Sequence, residues 1–246
     1  VDYALLVFFV TITFTIGASA FSGCTALTGI TLGSKVKTIG ASAFYNCKKL
    51  SSIDIPYGVD SIGTSAFENC YALQYAMIPE GVESIMPSTF SNCSDVTKIS
   101  LPSTVTSIGA SAFANCKQLY DISIPSAVES IGASAFTNTA IEKATIPAKV
   151  NRIYANTFNG CTKLTDLTFA EGSKITVIET RAFYNCKTLK AVEVPSMVTT
   201  IAKEAFTGCS SMKTATLPAS LKEIGEATFS GCSSLTEISV PSLIIS

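Results

Sequence analysis

The stretch IGASAFANCKQLYDISIPSAVES, residues 108–130, is one copy of a unit that recurs along the chain. When the units are aligned, ten of them have phenylalanine at the same position, which forms one column. Successive members of this column are mostly 23 residues apart. The ten members are Phe21, Phe44, Phe67, Phe90, Phe113, Phe136, Phe158, Phe183, Phe206 and Phe229. A unit of this length cannot bury its own apolar side chains, so neighbouring units must stack and share a core. The sequence therefore predicts a solenoid of about ten coils, numbered here by their phenylalanines.

Each unit combines a strand pattern with a turn pattern. Ile122 and Ile124 alternate with polar residues, which is the period of a half-buried strand, and Pro125 ends that strand. The Ser-Ala-Phe segment at residues 111–113 is predicted to form about one turn of helix. The position two residues after each phenylalanine is Gly or Asn in all ten units, which predicts a left-handed backbone there. Stacking such units gives one parallel sheet along one face.

These columns resemble the leucine-rich repeat family, specifically its BspA-like branch, whose hallmark is Ile-Gly-x-x-Ala-Phe-x-x-Cys-x-x-Leu-x-x-Ile-x-Ile-Pro. The resemblance covers residues 16–246. It implies a curved, right-handed α/β repeat solenoid, mostly β with short 3-10 or helical turns, whose parallel sheet lies on the concave face. It also implies surface-exposed or secreted proteins of host-associated bacteria, spirochaetes and protozoa, often adhesins.

Two coils depart from the pattern. Coil six has Thr139 where the motif has Cys, and it is one residue short. Coil seven lacks the Pro and is two residues longer, at residues 170–174.

Nine cysteines occupy one column of the repeat, and three interpretations of them compete. They are Cys24, Cys47, Cys70, Cys93, Cys116, Cys161, Cys186, Cys209 and Cys232. A metal array would need ligands that converge from different directions, and a disulfide ladder would need Cβ atoms closer than parallel side chains allow. The favoured interpretation is a stack of reduced, buried thiols that pack as small hydrophobes. No metal and no cofactor is therefore expected.

The composition argues against several classes of function. Hydrophobic residues make up 47% of the 246 residues, the net charge is −1, and there is no His. The near-zero charge gives no electrostatic footprint for nucleic acid, and the absence of His removes the commonest general base. No Gly-rich phosphate loop or nucleophile-and-base motif stands out from the repeat. The sequence therefore predicts no enzyme, no catalytic residues and no nucleic-acid partner.

Both ends of the chain are apolar, and each allows two interpretations. Residues 1–15 contain the run Ala4 to Val10, which is too short for a membrane span. They are predicted to be a divergent half-repeat that caps the solenoid, with a signal-peptide remnant as the alternative. Residues 16–246 are predicted to be a single domain of ten repeats. The apolar ends also suggest self-association through Phe8, Phe9, Ile244 and Ile245, unless further repeats follow.

The residues that flank the buried isoleucine of each predicted strand point outward in two columns. The first column is Gly29, Ser52, Tyr75, Lys98, Asp121, Lys143, Asp166, Ala191, Thr214 and Glu237. The second column is Thr31, Asp54, Met77, Ser100, Ser123, Thr145, Thr168, Glu193, Thr216 and Ser239. We call the surface formed by these two columns the concave face. Opposite charges stacked in the first column are expected to pair along the sheet.

The concave face is the predicted binding site, with a solvated face as the alternative. The partner-binding residues are predicted to be Tyr75, Met77, Lys98, Asp54, Tyr120, Asp121, Ser100 and Ser123. Exposed Tyr and Met are favoured interface anchors, and neighbouring hydroxyl groups supply adaptable hydrogen bonds. The first hypothesis is therefore a secreted or surface adhesin that binds a host or matrix protein. The alternative is a structural spacer or intracellular scaffold, located in the periplasm or cytoplasm, that self-associates through its ends.

Overall fold

The computed structural model describes residues 14–241, which form a stack of ten coils. A tight turn that contains the repeat phenylalanine connects two faces of the stack, and short parallel strands run along both faces. The described residues contain strands and turns but no helix. The chain is therefore a β-solenoid, as the repeat predicts.

The strands are numbered β1 to β19 in chain order and fall into two sets. The concave face carries β2 (Gly29–Thr31), β4 (Ser52–Asp54), β6 (Tyr75–Met77), β8 (Lys98–Ser100), β11 (Lys143–Ile146), β13 (Asp166–Phe169), β15 (Ala191–Glu193), β17 (Thr214–Thr216) and β19 (Glu237–Ser239). The second face carries β1 (Phe14–Ile16), β3 (Val36–Ile39), β5 (Ser61–Ile62), β7 (Ser84–Ile85), β9 (Ser107–Ile108), β10 (Ser130–Ile131), β12 (Arg152–Ile153), β14 (Val177–Ile178), β16 (Thr200–Ile201) and β18 (Glu223–Ile224).

The prediction of a single sheet was incomplete, because both faces carry sheets and both are interrupted. The concave face is divided into β2-β4, β6-β8, β11-β13 and β15-β17-β19. The second face is divided into β1-β3-β5, β7-β9-β10 and β12-β14-β16-β18. The second face escaped the sequence analysis because most of its strands have only two residues, too few to show an alternating pattern.

The core is a continuous stack of phenylalanine rings. Consecutive ring centroids lie 5.1 to 6.0 Å apart, from Phe21 at one end to Phe229 at the other. The rings of coils two to nine are fully buried, with 0% exposure. Leu119, Val128 and Ile131 are equally buried around the stack. The predicted register is thereby confirmed, because an error of one residue would have turned these side chains toward solvent.

Each coil has two turn residues with a left-handed backbone, and the sequence predicts only one of them. All ten members of the Gly or Asn column have positive φ, between 56° and 76°. A second column also has positive φ: Ser19, Ser42, Ser65, Ser88, Ser111, Ser134, Asn156, Arg181, Glu204 and Ala227. The predicted helical turn at residues 111–113 was wrong, because Ser111 with φ 55° cannot continue a right-handed helix. Its residue types gave no warning, since serine shows no preference for this backbone.

The asparagines of the Gly or Asn column form a ladder that joins four coils. Asn92 Nδ2 donates to Asn69 Oδ1 (2.8 Å), Asn115 to Asn92 (2.9 Å) and Asn138 to Asn115 (2.8 Å). The ladder ends at Gly160, where a Cβ atom would lie only 2.1 Å from Asn138 Oδ1. The column therefore carries coil-to-coil hydrogen bonds in addition to its backbone role.

Coil five lacks the strand predicted at Ile122 and Ile124. Its only ladder contact on the concave face is an isolated bridge between Asp121 and Lys98, and both isoleucines are half-buried. Coil six, which follows it, has lost one residue between Thr139 and Ile141. The unpaired segment of coil five therefore lies next to the coil that is one residue short, and it pairs with none of that coil's strands.

The predicted cap at residues 1–15 lies almost entirely outside the described residues. The same holds for Phe8, Phe9, Ile244 and Ile245, through which self-association was predicted.

Candidate binding face

Strand β6 places two of the predicted anchors side by side. Tyr75 is 46% exposed and Met77 is 59% exposed, while Ala76 between them is buried. This alternation follows from the period of two along a strand. The remaining predicted residues are also accessible: Asp54, Lys98, Tyr120 and Ser123 are exposed, and Ser100 and Asp121 are half-buried.

The first group of predicted residues lines one depression, which we call the coil 2–3 cleft. It has a volume of about 530 Å³ and lies along the carboxyl ends of β4, β6 and β8. Four of the predicted residues contribute to it: Asp54, Tyr75, Met77 and Ser100. The cleft also contains Tyr57, which lies in the turn after β4 and is 89% exposed. No signal in the sequence pointed to Tyr57, because residues after a strand follow no period.

The second group lines a separate depression, the coil 5–6 cleft. Tyr120, Asp121 and Ser123 stand on its coil-five side, and Lys143 and Thr145 stand on its coil-six side. Its volume is about 320 Å³, and its apolar lining is Ile122, Ile124, Phe136, Ile141 and Ala144. Seven of the eight predicted residues are therefore divided between two clefts, and Lys98 lines neither of them.

A third depression, the coil 7–8 cleft, was not predicted. It lies between β13 and β15, beside the insertion at residues 170–174, and has a volume of about 750 Å³. Glu193, Lys190 and the half-exposed Met197 are among its lining residues. The sequence carried a signal for it, since the insertion widens the connection after β13.

The three clefts coincide with the three interruptions of the concave sheet. Each cleft includes residues of the two coils at an interruption, so the relief of the concave face accompanies the breaks in the sheet.

Charged residues of the concave face pair along the sheet, as predicted. Lys98 Nζ lies 2.8 Å from Asp121 Oδ2, and this hydrogen bond raises the pKa of Lys98. Lys143 Nζ lies 3.8 Å from Asp166 Oδ2. These pairs are exposed, so they contribute little to stability. They do reduce the charge that Lys98 and Asp121 offer to a partner.

The cysteines form a ladder of hydrogen bonds rather than a reactive site. Each buried thiol donates to the carbonyl oxygen of the phenylalanine one coil earlier, as Cys93 Sγ does to Phe67 at 3.2 Å. All nine cysteines are free, and eight are buried. Burial raises the pKa of Cys70 and of Cys161 to about 12, so the nucleophilic thiolate is absent at neutral pH. Where coil six has Thr139, its hydroxyl donates to Phe136 O at 2.9 Å instead.

Thiol counting will test this arrangement. We expect a disulfide-exchange reagent at pH 8 to modify only Cys24 rapidly in the folded protein, because Cys24 is the exposed member of the column. All nine thiols should react after unfolding in guanidinium. A folded protein with several fast-reacting thiols would contradict the buried stack. Intramolecular disulfides found by mass spectrometry without reductant would contradict the reduced state.

Within residues 14–241, no group of three or more His, Cys, Asp or Glu side chains is arranged to hold a metal ion. Over the same range, no helix is long and apolar enough to cross a membrane.

Comparison with known proteins identifies repeats of one type along most of the chain. The model of the BspA type leucine rich repeat region matches six copies, over residues 9–98, 85–176 and 171–246. No curated protein matches the chain in sequence.

Several solved structures are similar to the chain. A leucine-rich repeat protein from Eubacterium ventriosum is 20% identical with a TM-score of 0.55, covering 89% of this chain and 80% of its own. The leucine-rich repeat protein of T. pallidum is 26% identical with a TM-score of 0.52, covering 71% of each chain. A leucine rich cell surface protein from Faecalibacterium prausnitzii is 28% identical with a TM-score of 0.48, covering 90% of this chain and 75% of its own.

Proposed function

The chain belongs to the BspA-type leucine-rich repeat family, and on that premise we propose that it is a non-catalytic module that binds a partner protein on its concave face. The repeat supplies a rigid frame, because each strand is fixed by buried residues on its inner side. A rigid surface loses little conformational freedom on binding, so more of the contact energy remains as affinity.

The observation that carries this proposal is the coil 2–3 cleft. Tyr57, Tyr75 and Met77 expose large apolar side chains around one depression, next to the backbone of two strands. Isolated exposed apolar residues are ordinary, but a cluster around a cavity has the composition of a binding hot spot. Tyrosine adds a hydroxyl group that remains able to form hydrogen bonds.

The rim of this cleft favours a particular kind of anchor. Asp54 and Glu80 line the cleft, and neither forms an ion pair within residues 14–241. We therefore expect the partner to insert an apolar or aromatic side chain with a basic group beside it. The proposed partner is a host or matrix protein, and this chain is proposed to be surface-exposed or secreted. The support for that location is the family resemblance, which implies adhesins of host-associated organisms.

A binding experiment with a matched control tests the proposal. Labelled protein is added to host epithelial cells and to immobilised matrix proteins, as wild type and as the double variant Tyr75→Asp, Met77→Asp. The two substitutions remove central anchors worth about 2 kcal/mol each, so binding should weaken by roughly 1,000-fold. The control is Tyr71→Asp, which changes an exposed tyrosine outside the three clefts.

Each result decides a separate point. Saturable binding that is lost in the double variant and kept in Tyr71→Asp supports the coil 2–3 cleft. Equal binding by all three proteins contradicts this cleft as the site. Absence of saturable binding by the wild type contradicts the adhesion proposal, and a mass in solution above that of one chain would then favour a self-associating scaffold.

A further inference from the structure

The coil 2–3 cleft has a regular apolar floor. Ile55, Ile78 and Leu101 line the cleft and occupy equivalent positions of three successive coils, 23 residues apart. Ile78 in the middle is buried, whereas Ile55 and Leu101 are half-buried. Because neighbouring strands of a sheet lie about 4.8 Å apart, the two outer side chains are separated by roughly 10 Å along the solenoid. The floor therefore offers two accessible apolar positions, one at each end.

The backbone beside this floor is already paired. Strand β6 pairs with β8 in parallel register, and Ile78 N donates to Ser100 O at 3.0 Å just beyond it. Between coils two and three, Gln74 N donates to Ser51 O at 3.1 Å at the start of β4 and β6. A further strand therefore has no place to pair, and an occupant of the cleft must be held through its side chains.

The cleft has the side chains that recognise proline. Tyr57, Tyr75 and Met77 are exposed around the floor. Proline-rich segments bind to grooves lined by aromatic side chains, because the polyproline II conformation is formed before binding and loses little entropy. That conformation has no internal hydrogen bonds, so its carbonyl groups remain available to the hydroxyl group of a tyrosine.

Polyproline II also matches the spacing of the floor. It has three residues per turn and rises about 3.1 Å per residue, so residues three apart point the same way and lie about 9 Å apart. A segment that runs along the solenoid axis would therefore place one proline over Ile55 and the next over Leu101.

The charge of the cleft indicates which residue accompanies the prolines. Asp54 and Glu80 line the cleft, and among the described residues no Lys or Arg does so. Ser103 Oγ donates to Glu80 Oε2 at 3.3 Å, which leaves the other carboxylate oxygen available. The other two clefts each contain a lysine, Lys143 in the coil 5–6 cleft and Lys190 in the coil 7–8 cleft. The coil 2–3 cleft is thereby the one that favours a basic group.

We propose that the coil 2–3 cleft binds a proline-rich segment of the partner protein in the polyproline II conformation. Two prolines three residues apart contact the floor at Ile55 and Leu101, and a neighbouring Lys or Arg pairs with Asp54 or Glu80. This proposal rests on the proposed function, since it specifies which kind of segment enters the same cleft.

Isothermal titration calorimetry of the full chain with three synthetic peptides tests the proposal. The probe RPAAPAAPR has prolines three residues apart and a basic residue at each end. The peptide RAPPPAAAR has the same composition without that spacing, and QPAAPAAPQ has glutamine in place of both arginines. We expect the probe to bind saturably and each control peptide to bind at least about fivefold more weakly.

Variants of the chain place the peptide in the cleft. Tyr57→Ala should weaken binding of the probe at least about tenfold, because it removes an aromatic side of the cleft. Tyr71→Ala, which changes an exposed tyrosine outside the three clefts, should leave the affinity unchanged. The double variant Asp54→Asn, Glu80→Gln should bind RPAAPAAPR and QPAAPAAPQ with affinities within about twofold of each other, because the charge pairing is lost.

The outcomes separate this proposal from the proposed function. Absence of probe binding, or equal affinity for RPAAPAAPR and RAPPPAAAR, would overturn the polyproline proposal. The proposed function would still stand if adhesion to cells or matrix is lost in Tyr75→Asp, Met77→Asp, because the cleft would then bind another kind of segment. Peptide binding with the expected preferences but without adhesion by the wild type would support the polyproline proposal and contradict the adhesion proposal.

Discussion

Replacing Phe113 by alanine is expected to lower the free energy of unfolding by about 3–5 kcal/mol. Its ring lies at the middle of the stack, with centroids 6.0 Å from Phe90 and 5.3 Å from Phe136, and it is 0% exposed. Removing it takes away the buried apolar surface and leaves a cavity. The neighbouring rings cannot move in to fill that cavity, because their coils are fixed by hydrogen bonds in the turns.

Urea denaturation followed by circular dichroism measures this change, with hydrogen exchange to locate the weakened coils. The matched control is Tyr57→Ala, which removes an aromatic side chain that is 89% exposed and should change stability by less than about 0.5 kcal/mol. A loss of less than about 1 kcal/mol for Phe113→Ala would contradict a tightly packed ring stack.

Replacing Asn115 by alanine is expected to destabilise the protein by about 2–4 kcal/mol. The variant loses two ladder hydrogen bonds, one donated to Asn92 (2.9 Å) and one accepted from Asn138 (2.8 Å). Each is worth about 0.5–1.5 kcal/mol, and alanine adds about 1 kcal/mol of strain at φ 60°.

The variant Asn115→Gly separates the two contributions. Glycine also breaks the ladder, but it adopts the left-handed backbone without strain, and it already occupies this column in four coils, as at Gly208. Urea denaturation should therefore give the glycine variant a free energy of unfolding about 1 kcal/mol higher than that of the alanine variant. Equal stability of the two would refute the strain argument, and an unchanged glycine variant would refute the ladder's contribution.

The candidate site was only partly predictable from the sequence. The outward positions of Tyr75, Met77 and Asp54 follow from strand alternation, so counting residues was sufficient. The contribution of Tyr57 was not visible, because residues after a strand follow no period. Tyr120 was grouped with Tyr75 because the repeat pattern shows no difference between one coil and another. In the structure, Tyr120 lines a different cleft from Tyr75.

Interruptions of the sheet were the least predictable feature. The missing residue of coil six and the insertion of coil seven are both visible in the sequence. Only the insertion lies directly beside a cleft, at the connection after β13. In coil five the stretch 108–130 is a clear copy of the motif, yet its concave segment forms no strand. A strand forms only when a second strand lies in register beside it, and the coil's own sequence does not contain that information.

The amino-acid sequence alone determined the repeat, the phenylalanine stack, the buried thiol column and one of the two left-handed turn positions. These properties depend on residues within one coil, and stacking repeats them without change. Only the tertiary structure decided the second face of strands, the asparagine ladder and the three clefts. They depend on how successive coils lie against one another, which the sequence of a single coil does not specify, and the surface offered to a partner follows from that packing.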